Sequence, residues 1–237
     1  MERKLDVGEA LSEVFAIYRR QAGVLLPIAF WLFLAVAIVE ELTRDEVSLF
    51  WIGIVVALAV GTLYQGTVVG LVRDVQDGRR DSSAGELTRA TLPVLGPLIG
   101  ASILAGLGIG FGLVLLLVPG LYLLTIWSVI APVIVVERSG SIAAFGRSRE
   151  LVRGNGWPVF WTVFAAFLIA TVAAIAFFLI ATSIADGPLI EIVLSVLALT
   201  LTAPIEGLVA SVLYFRLREI EGEPPGSVPQ QPGDGLG

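Results

Sequence analysis

The sequence predicts an all-α, polytopic integral membrane protein with six transmembrane helices arranged as three hairpins. The first observation is compositional: the 237 residues are 56% hydrophobic and only 15% charged, with a mean hydropathy of +0.89. A soluble domain carries about 25% charged residues. The second observation is the spacing of the charges, which stand in short blocks between long apolar runs. Such runs are typical of helices that cross a bilayer.

Six apolar segments have the length that a bilayer crossing needs. We place them at about 24–41, 47–72, 92–118, 120–136, 158–184 and 188–215. Short external turns at 41–46, at Pro119-Gly120 and at 186–188 pair the spans, and proline or glycine marks the last two turns. Residues 1–220 are therefore expected to form one membrane domain. Residues 221–237, rich in proline and glycine, are expected to form a disordered cytoplasmic tail.

A short amphipathic segment precedes each hairpin. The first carries Val7, Leu11 and Val14 on one helical face, which is the pattern of a helix lying in the membrane interface. The second begins with Ser83 and Glu86 at the spacing of a capping box. The third runs over 141–153. We predict three short interfacial helices on the cytoplasmic side.

The basic residues determine the predicted orientation, because loops rich in lysine and arginine stay in the cytoplasm. Fourteen of the fifteen fall on one side of the spans, namely Arg3, Lys4, Arg19, Arg20, Arg73, Arg79, Arg80, Arg89, Arg138, Arg147, Arg149, Arg153, Arg216 and Arg218, and only Arg44 falls on the other. The sequence thus predicts a plasma-membrane protein with both termini in the cytoplasm.

Several kinds of chemistry are not expected of this chain. It has no cysteine and no histidine, which removes the thiol nucleophile, the commonest general base and the commonest metal ligand. It has no phosphate-binding loop, nucleophile elbow or zinc-protease motif. The net charge is −6 and no basic block has the size of a nucleic-acid footprint. We predict no catalytic residues, metal, cofactor or nucleic-acid partner.

One part of the sequence resembles a known family. The residues that carry the resemblance are Val118-Pro119-Gly120-Leu121-Tyr122, Trp127, Ala131-Pro132-Val133-Ile134-Val135-Val136-Glu137, Ala143, the run from Arg147 to Asn155, and Leu213-Tyr214-Phe215-Arg216-Leu217-Arg218. They are similar to the membrane domain attached to some glycerophosphodiester phosphodiesterases, and to related prokaryotic membrane proteins of unknown activity. In the fused relatives a soluble barrel with histidines and metal-binding carboxylates performs the catalysis. The resemblance therefore implies the membrane fold and no enzymatic activity for this chain.

Glu206 is the strongest candidate for a functional residue within the membrane. It lies ten residues before Arg216, or roughly 15 Å along a helix, and an ionisable group at that depth is costly. Pro204 lies beside it, and Gln65 and Tyr64 fall at a comparable depth in the second span. One interpretation is a protonated Glu206 that bonds to Gln65 or a backbone carbonyl and fixes helix packing. The alternative is a role in transport or proton coupling.

The loop before the fifth span is the second candidate site. Arg147, Arg149 and Arg153 lie on a predicted helix, and Trp157 follows. These arginines are candidates for binding lipid phosphate or a protein partner. Anchoring of the loop in the cytoplasm explains the same residues without any ligand.

The sequence favours a non-enzymatic function. We expect a scaffold or accessory protein that contacts membrane lipids or a membrane-protein partner through its arginine-rich loops. The alternative is a transporter of a small molecule or lipid, with a path near Glu206.

Overall fold

The computed structural model describes residues 4–43, 47–78, 83–184 and 187–222. These residues form α1 (Val7–Thr43), α2 (Val47–Gln76), α3 (Ala84–Thr91), a 3-10 turn (Leu92–Val94), α4 (Leu95–Leu115), α5 (Leu117–Ile126), α6 (Ile130–Glu137), α7 (Ser141–Val152), α8 (Gly156–Ile184) and α9 (Pro188–Ile220). Within them no strand occurs, and six helical segments are long and apolar enough to cross a membrane. The predicted all-α, polytopic membrane fold is confirmed.

The first amphipathic segment is continuous with the first span, which differs from the separate interfacial helix predicted. Asp6 caps the N-terminus of α1: its Oδ1 accepts a hydrogen bond from the Glu9 backbone N–H at 2.8 Å. Pro27 lies inside α1 without ending it. At 37 residues the helix is about 55 Å long, longer than the roughly 30 Å hydrocarbon core. Its first turns therefore extend beyond the membrane core.

The other two amphipathic segments are separate helices. The predicted capping box of α3 is confirmed: the Ser83 N–H donates to Glu86 Oε2 at 2.9 Å, and the Glu86 N–H donates to Ser83 Oγ at 3.3 Å. α7 is followed by Gly154, whose positive φ of 84° suits glycine and turns the chain toward α8.

Four helices have a proline in their first turn, which separates each of them from the helix before it. Pro97, Pro119, Pro132 and Pro158 are each the third residue of their helix, in α4, α5, α6 and α8. The first N–H groups of a helix have no intrahelical acceptor, so proline is tolerated there and disfavours continuation of a preceding helix. This explains why the fourth span consists of two helices.

The fourth span corrects two predictions. The turn expected at Pro119-Gly120 lies instead at Leu116, which is extended (φ −156°, ψ 133°), while Pro119 and Gly120 belong to α5. The span expected to be continuous over 120–136 is interrupted at 127–129 between α5 and α6. Pro132 was the available sequence signal, because it cannot donate a hydrogen bond to the Ser128 carbonyl.

Several glycines allow close contacts between helices. An added Cβ on Gly112 would lie 3.0 Å from the Gly120 backbone, and one on Gly108 would lie 2.7 Å from the Trp127 ring. A Cβ on Gly66 would overlap Thr91. Gly96 is different, because an added Cβ there would meet no atom within 4 Å.

The two longest helices meet at one end of the bundle, which we call the arginine end. There Arg216 of α9 forms ion pairs with Glu13 at 2.7 Å and with Glu9 at 3.1 Å on α1, and Gln76 of α2 donates to Glu13 at 3.2 Å. The contacts bring the first and last helices together. The predicted tail from 223 onward, and Arg44, Arg79 and Arg80, lie outside the described residues.

Candidate functional site: an intramembrane cavity at Glu206

A cavity of about 500 Å³ lies among α1, α2, α4, α8 and α9. Its apolar wall includes Phe33, Leu58, Phe167 and Leu199. The polar side chains that line it are Thr62, Tyr64, Gln65, Ser102, Thr171, Thr202 and Glu206. A volume of this size is typical of a small-molecule site.

Glu206 is the one charged side chain among the described residues that line this cavity, and it is exposed into it. The described wall residues include no arginine or lysine. Pro204 precedes it by two residues and cannot donate to the Thr200 carbonyl, so α9 lacks one backbone hydrogen bond beside the site. A proton or a positively charged ligand is therefore needed to neutralise the carboxylate at this depth.

The structure brings the three predicted intramembrane residues to one cavity. Gln65 and Glu206 both line it, but no hydrogen bond joins their side chains in the described part of the chain. Tyr64 is 2% exposed, and its hydroxyl donates to the Leu25 carbonyl at 3.3 Å. Its ring meets Phe33 edge-on, with centroids 5.5 Å apart. Tyr64 therefore shapes the wall, whereas Gln65 and Glu206 present polar atoms to the interior.

Packed apolar side chains separate the cavity from the arginine end. On α2, Val68 and Val72 are fully buried, and on α9 so are Leu208 and Leu213. Gly207 lets the two helices approach closely, since an added Cβ would lie 2.9 Å from Val68 Cγ1. In this conformation the cavity thus ends about one helical turn from Glu206 toward the arginine end.

A hydroxyl from α1 supports α9 above this seal. The Tyr18 hydroxyl donates to the Leu201 carbonyl at 3.0 Å, next to the Thr200 carbonyl that Pro204 leaves without its usual donor. The Thr200 hydroxyl is buried and has no hydrogen-bond partner among the described residues. This stretch of α9 therefore has fewer internal hydrogen bonds than a regular helix.

The predicted arginine site divides into an internal and an exposed part. Arg147 Nε lies 3.2 Å from Glu137 Oε1, and its Nη1 lies 3.3 Å from Glu221. The Tyr214 hydroxyl donates to the same Glu137 oxygen at 2.9 Å, and Arg218, 3% exposed, donates to Tyr214 at 3.4 Å. Glu137 thus forms an ion pair at the end of α6. Arg147 belongs to this internal network.

Arg149 and Arg153 remain exposed, and they form no ion pair within the described residues. Asn155, which follows Arg153 by two residues, is buried, and its Oδ1 accepts a hydrogen bond from the Leu5 N–H at 3.2 Å. That asparagine therefore holds Leu5, just before α1. Trp157 and Trp161 are exposed, as an aromatic belt at the membrane interface requires.

Sequence reasoning missed the residues that complete the cavity. Ser102 on α4 and Thr171 on α8 line the same cavity as Glu206, on helices with few polar residues. The sequence signal that could have found them is a small polar residue at about the same membrane depth as Glu206. Which of them share an interior depends on helix rotation, and sequence periodicity in a uniformly apolar helix does not determine rotation.

Comparison with known proteins gives one informative similarity. The chain is 34% identical over 103 residues to a UPF0259 membrane protein of Pectobacterium carotovorum subsp. carotovorum (strain PC1). The matched region is 44% of this chain and covers 41% of the length of that relative. No family model matches the sequence, and no solved structure matches it. The similarity agrees with an uncharacterised multi-pass membrane protein.

Proposed function

We propose that this chain is a membrane transporter that binds a small organic cation at Glu206 and exchanges it for a proton. The observation that carries the proposal is the 500 Å³ cavity, which contains a single carboxyl group and no basic side chain among its described lining residues. The sequence alone ranks a scaffold first and transport second. The cavity reverses that ranking, because a scaffold needs no open polar space at mid-membrane.

The chemistry of the wall favours a cation over an anion or a sugar. An ionised Glu206 repels anions, and Phe33 and Phe167 line the same cavity with aromatic rings, the side chains that stabilise organic cations. A proton and the cation compete for the same carboxylate, so binding one releases the other. This competition is the simplest basis for exchange.

Transport also requires that the cavity open toward the arginine end. The seal there consists of side chains on α2 and α9 that meet at Gly207 and Val68. The missing backbone hydrogen bond at Pro204 lies just above this contact. We infer that α9 bends at this point when the cavity changes sides.

A variant with Glu206→Gln tests the proposal. The purified chain would be reconstituted in vesicles of phosphatidylethanolamine and phosphatidylglycerol, with ethidium as the probe and an acidic interior. We expect wild type to take up ethidium, whereas Glu206→Gln falls to the level of protein-free vesicles because the amide neither binds the cation nor releases a proton. Uptake is followed by fluorescence.

The matched control is Glu150→Gln, which changes the same group at an exposed position on α7 and should leave uptake unchanged. Dicyclohexylcarbodiimide, which modifies protonated carboxyl groups in apolar surroundings, should label Glu206, and ethidium should slow that labelling. Uptake that survives Glu206→Gln would refute the proposal. So would a wild-type protein that neither transports ethidium nor is protected by it.

A scaffold or accessory role is the second candidate, and the exposed Arg149 and Arg153 favour it. In this role the arginine end meets lipids or a membrane-protein partner at the cytoplasmic face of the plasma membrane. Copurification in mild detergent that returns a stoichiometric partner, from wild type and from Glu206→Gln alike, would favour this role over transport.

A further inference from the structure

An apolar groove lies between α5 and α8, on a different surface from the Glu206 cavity. Its volume is about 470 Å³, and Leu121, Thr125, Trp157 and Phe160 are among its walls. The Thr125 hydroxyl donates to the Leu121 carbonyl of its own helix at 2.7 Å, so it presents no free donor to the groove. The groove can hold hydrocarbon.

A second depression of about 320 Å³ lies beside this groove, between α5 and α7. Tyr122 and Ile126 line both spaces, so the two are adjacent. The wall of the second includes Gly146 and the exposed Arg149, whose guanidinium forms no ion pair within the described chain. An apolar slot thus leads to a cationic site without a counterion.

We propose that this groove and Arg149 together bind one anionic glycerophospholipid of the bilayer. An acyl chain occupies the groove between α5 and α8, and the phosphate meets Arg149. Charge complementarity decides the occupant, because hydrocarbon contact alone does not favour an anionic lipid. The site excludes Arg147, which we had grouped with Arg149, because Arg147 is paired with Glu137 and Glu221.

The neighbouring residues fit a lipid at the membrane interface. Trp157 is 74% exposed and Tyr122 is 53% exposed at the margin of the groove, where amphipathic rings are common. Gly146 keeps the depression open, because an added Cβ there meets no atom within 4 Å. The site shares no lining residue with the Glu206 cavity and does not depend on transport.

Lipid retention in nanodiscs tests this site. The full chain would be placed in discs of equal phosphatidylglycerol and phosphatidylcholine, then released and weighed by native mass spectrometry. We expect wild type to retain one phosphatidylglycerol in preference to phosphatidylcholine. Arg149→Gln should reduce that preference about fivefold, the effect expected for one basic residue near an anionic lipid. Arg89→Gln, which removes an exposed charge on α3, should not change it.

A second variant tests the groove itself. Gly156→Leu places a side chain into the slot, and its Cβ meets no atom within 4 Å, so we expect the variant to fold. It should lower retention of both lipids, while ethidium uptake through the Glu206 cavity stays unchanged. Equal effects of Arg149→Gln and Arg89→Gln, or normal retention in a folded Gly156→Leu protein, would overturn the proposal.

Discussion

At the residue scale, a serine hydroxyl donates a hydrogen bond to a backbone carbonyl that the break between α5 and α6 leaves without its helical partner. Ser148 is fully buried, and its Oγ donates to the Ile126 carbonyl at 2.8 Å, at the point where α5 ends. Without it that carbonyl would lack a side-chain partner in a region with little water. Inside the same break, the buried Ser128 hydroxyl has no hydrogen-bond partner among the described residues. The polar groups at this break are therefore only partly hydrogen-bonded, and the Ser148 hydroxyl provides one of these hydrogen bonds.

We predict that Ser148→Ala lowers the free energy of unfolding by about 1–3 kcal/mol, because it leaves a buried carbonyl unpaired. Ser183→Ala is the matched control: its Oγ bonds to Leu179 O in its own helix, at an exposed position. The control should change stability little. Thermal unfolding in detergent measures both. Equal melting temperatures for Ser148→Ala and wild type would contradict this role.

At the element scale, the hairpin of α4 and α5 depends on one close contact. An added Cβ on Gly120 would lie 2.5 Å from Leu113 Cδ2 and 2.6 Å from the Leu113 backbone nitrogen. Because backbone cannot move aside as a side chain can, a larger residue must push the two helices apart. Gly110, on the same α4, has open space at the equivalent position. Gly120 and Gly110 therefore differ in function, because only Gly120 lies at a close contact between the two helices.

Gly120→Ala and Gly110→Ala should shift stability in opposite directions. We expect Gly120→Ala to destabilise the protein by about 1–3 kcal/mol through overpacking. Gly110→Ala should stabilise it by about 0.5–1 kcal/mol, because alanine is the better helix former and meets no neighbour. The midpoint of thermal aggregation, read by size-exclusion chromatography, compares them. If both variants were destabilised, or both stabilised, the contact between Gly120 and Leu113 would not explain the effect of Gly120→Ala.

Several helix ends were predictable from sequence. Whether two neighbouring helical segments join into one helix was not. The capping box at Ser83 and the turn at Gly154 end or begin helices through local backbone chemistry, so a local pattern finds them. The joining of the first amphipathic segment to the first span depends on its packing against α9, through Glu13 and Arg216. That contact joins residues 203 apart in the sequence, and no local pattern contains it.

At the scale of the whole molecule, arginine contacts link helices that are far apart in the sequence. Arg138 donates to the Ala90 carbonyl at 3.5 Å, and Arg147 reaches Glu221 at the end of α9. The arginine end is thus tied together across α3, α7 and α9. A single charged face agrees with the orientation that the positive-inside rule predicts.

Single cysteines should report this orientation cleanly, because the chain has none of its own. We predict that Ala84→Cys and Gly140→Cys, both exposed near the arginine end, react with a membrane-impermeant maleimide only after the cells are opened. Ser183→Cys, near the opposite end of α8, should react in intact cells. Labelling of Gly140→Cys from outside would reverse the proposed topology.

The sequence by itself determined the membrane class, the number of apolar helical segments and the predicted side of the arginines, since each follows from composition and charge along the chain. It also identified Glu206, because a carboxyl group in an apolar run is visible without a structure. Only the tertiary structure decided what surrounds that carboxyl group and which arginines are paired. Both depend on how uniformly apolar helices rotate and pack against one another, and this is set by contacts between residues far apart in the chain.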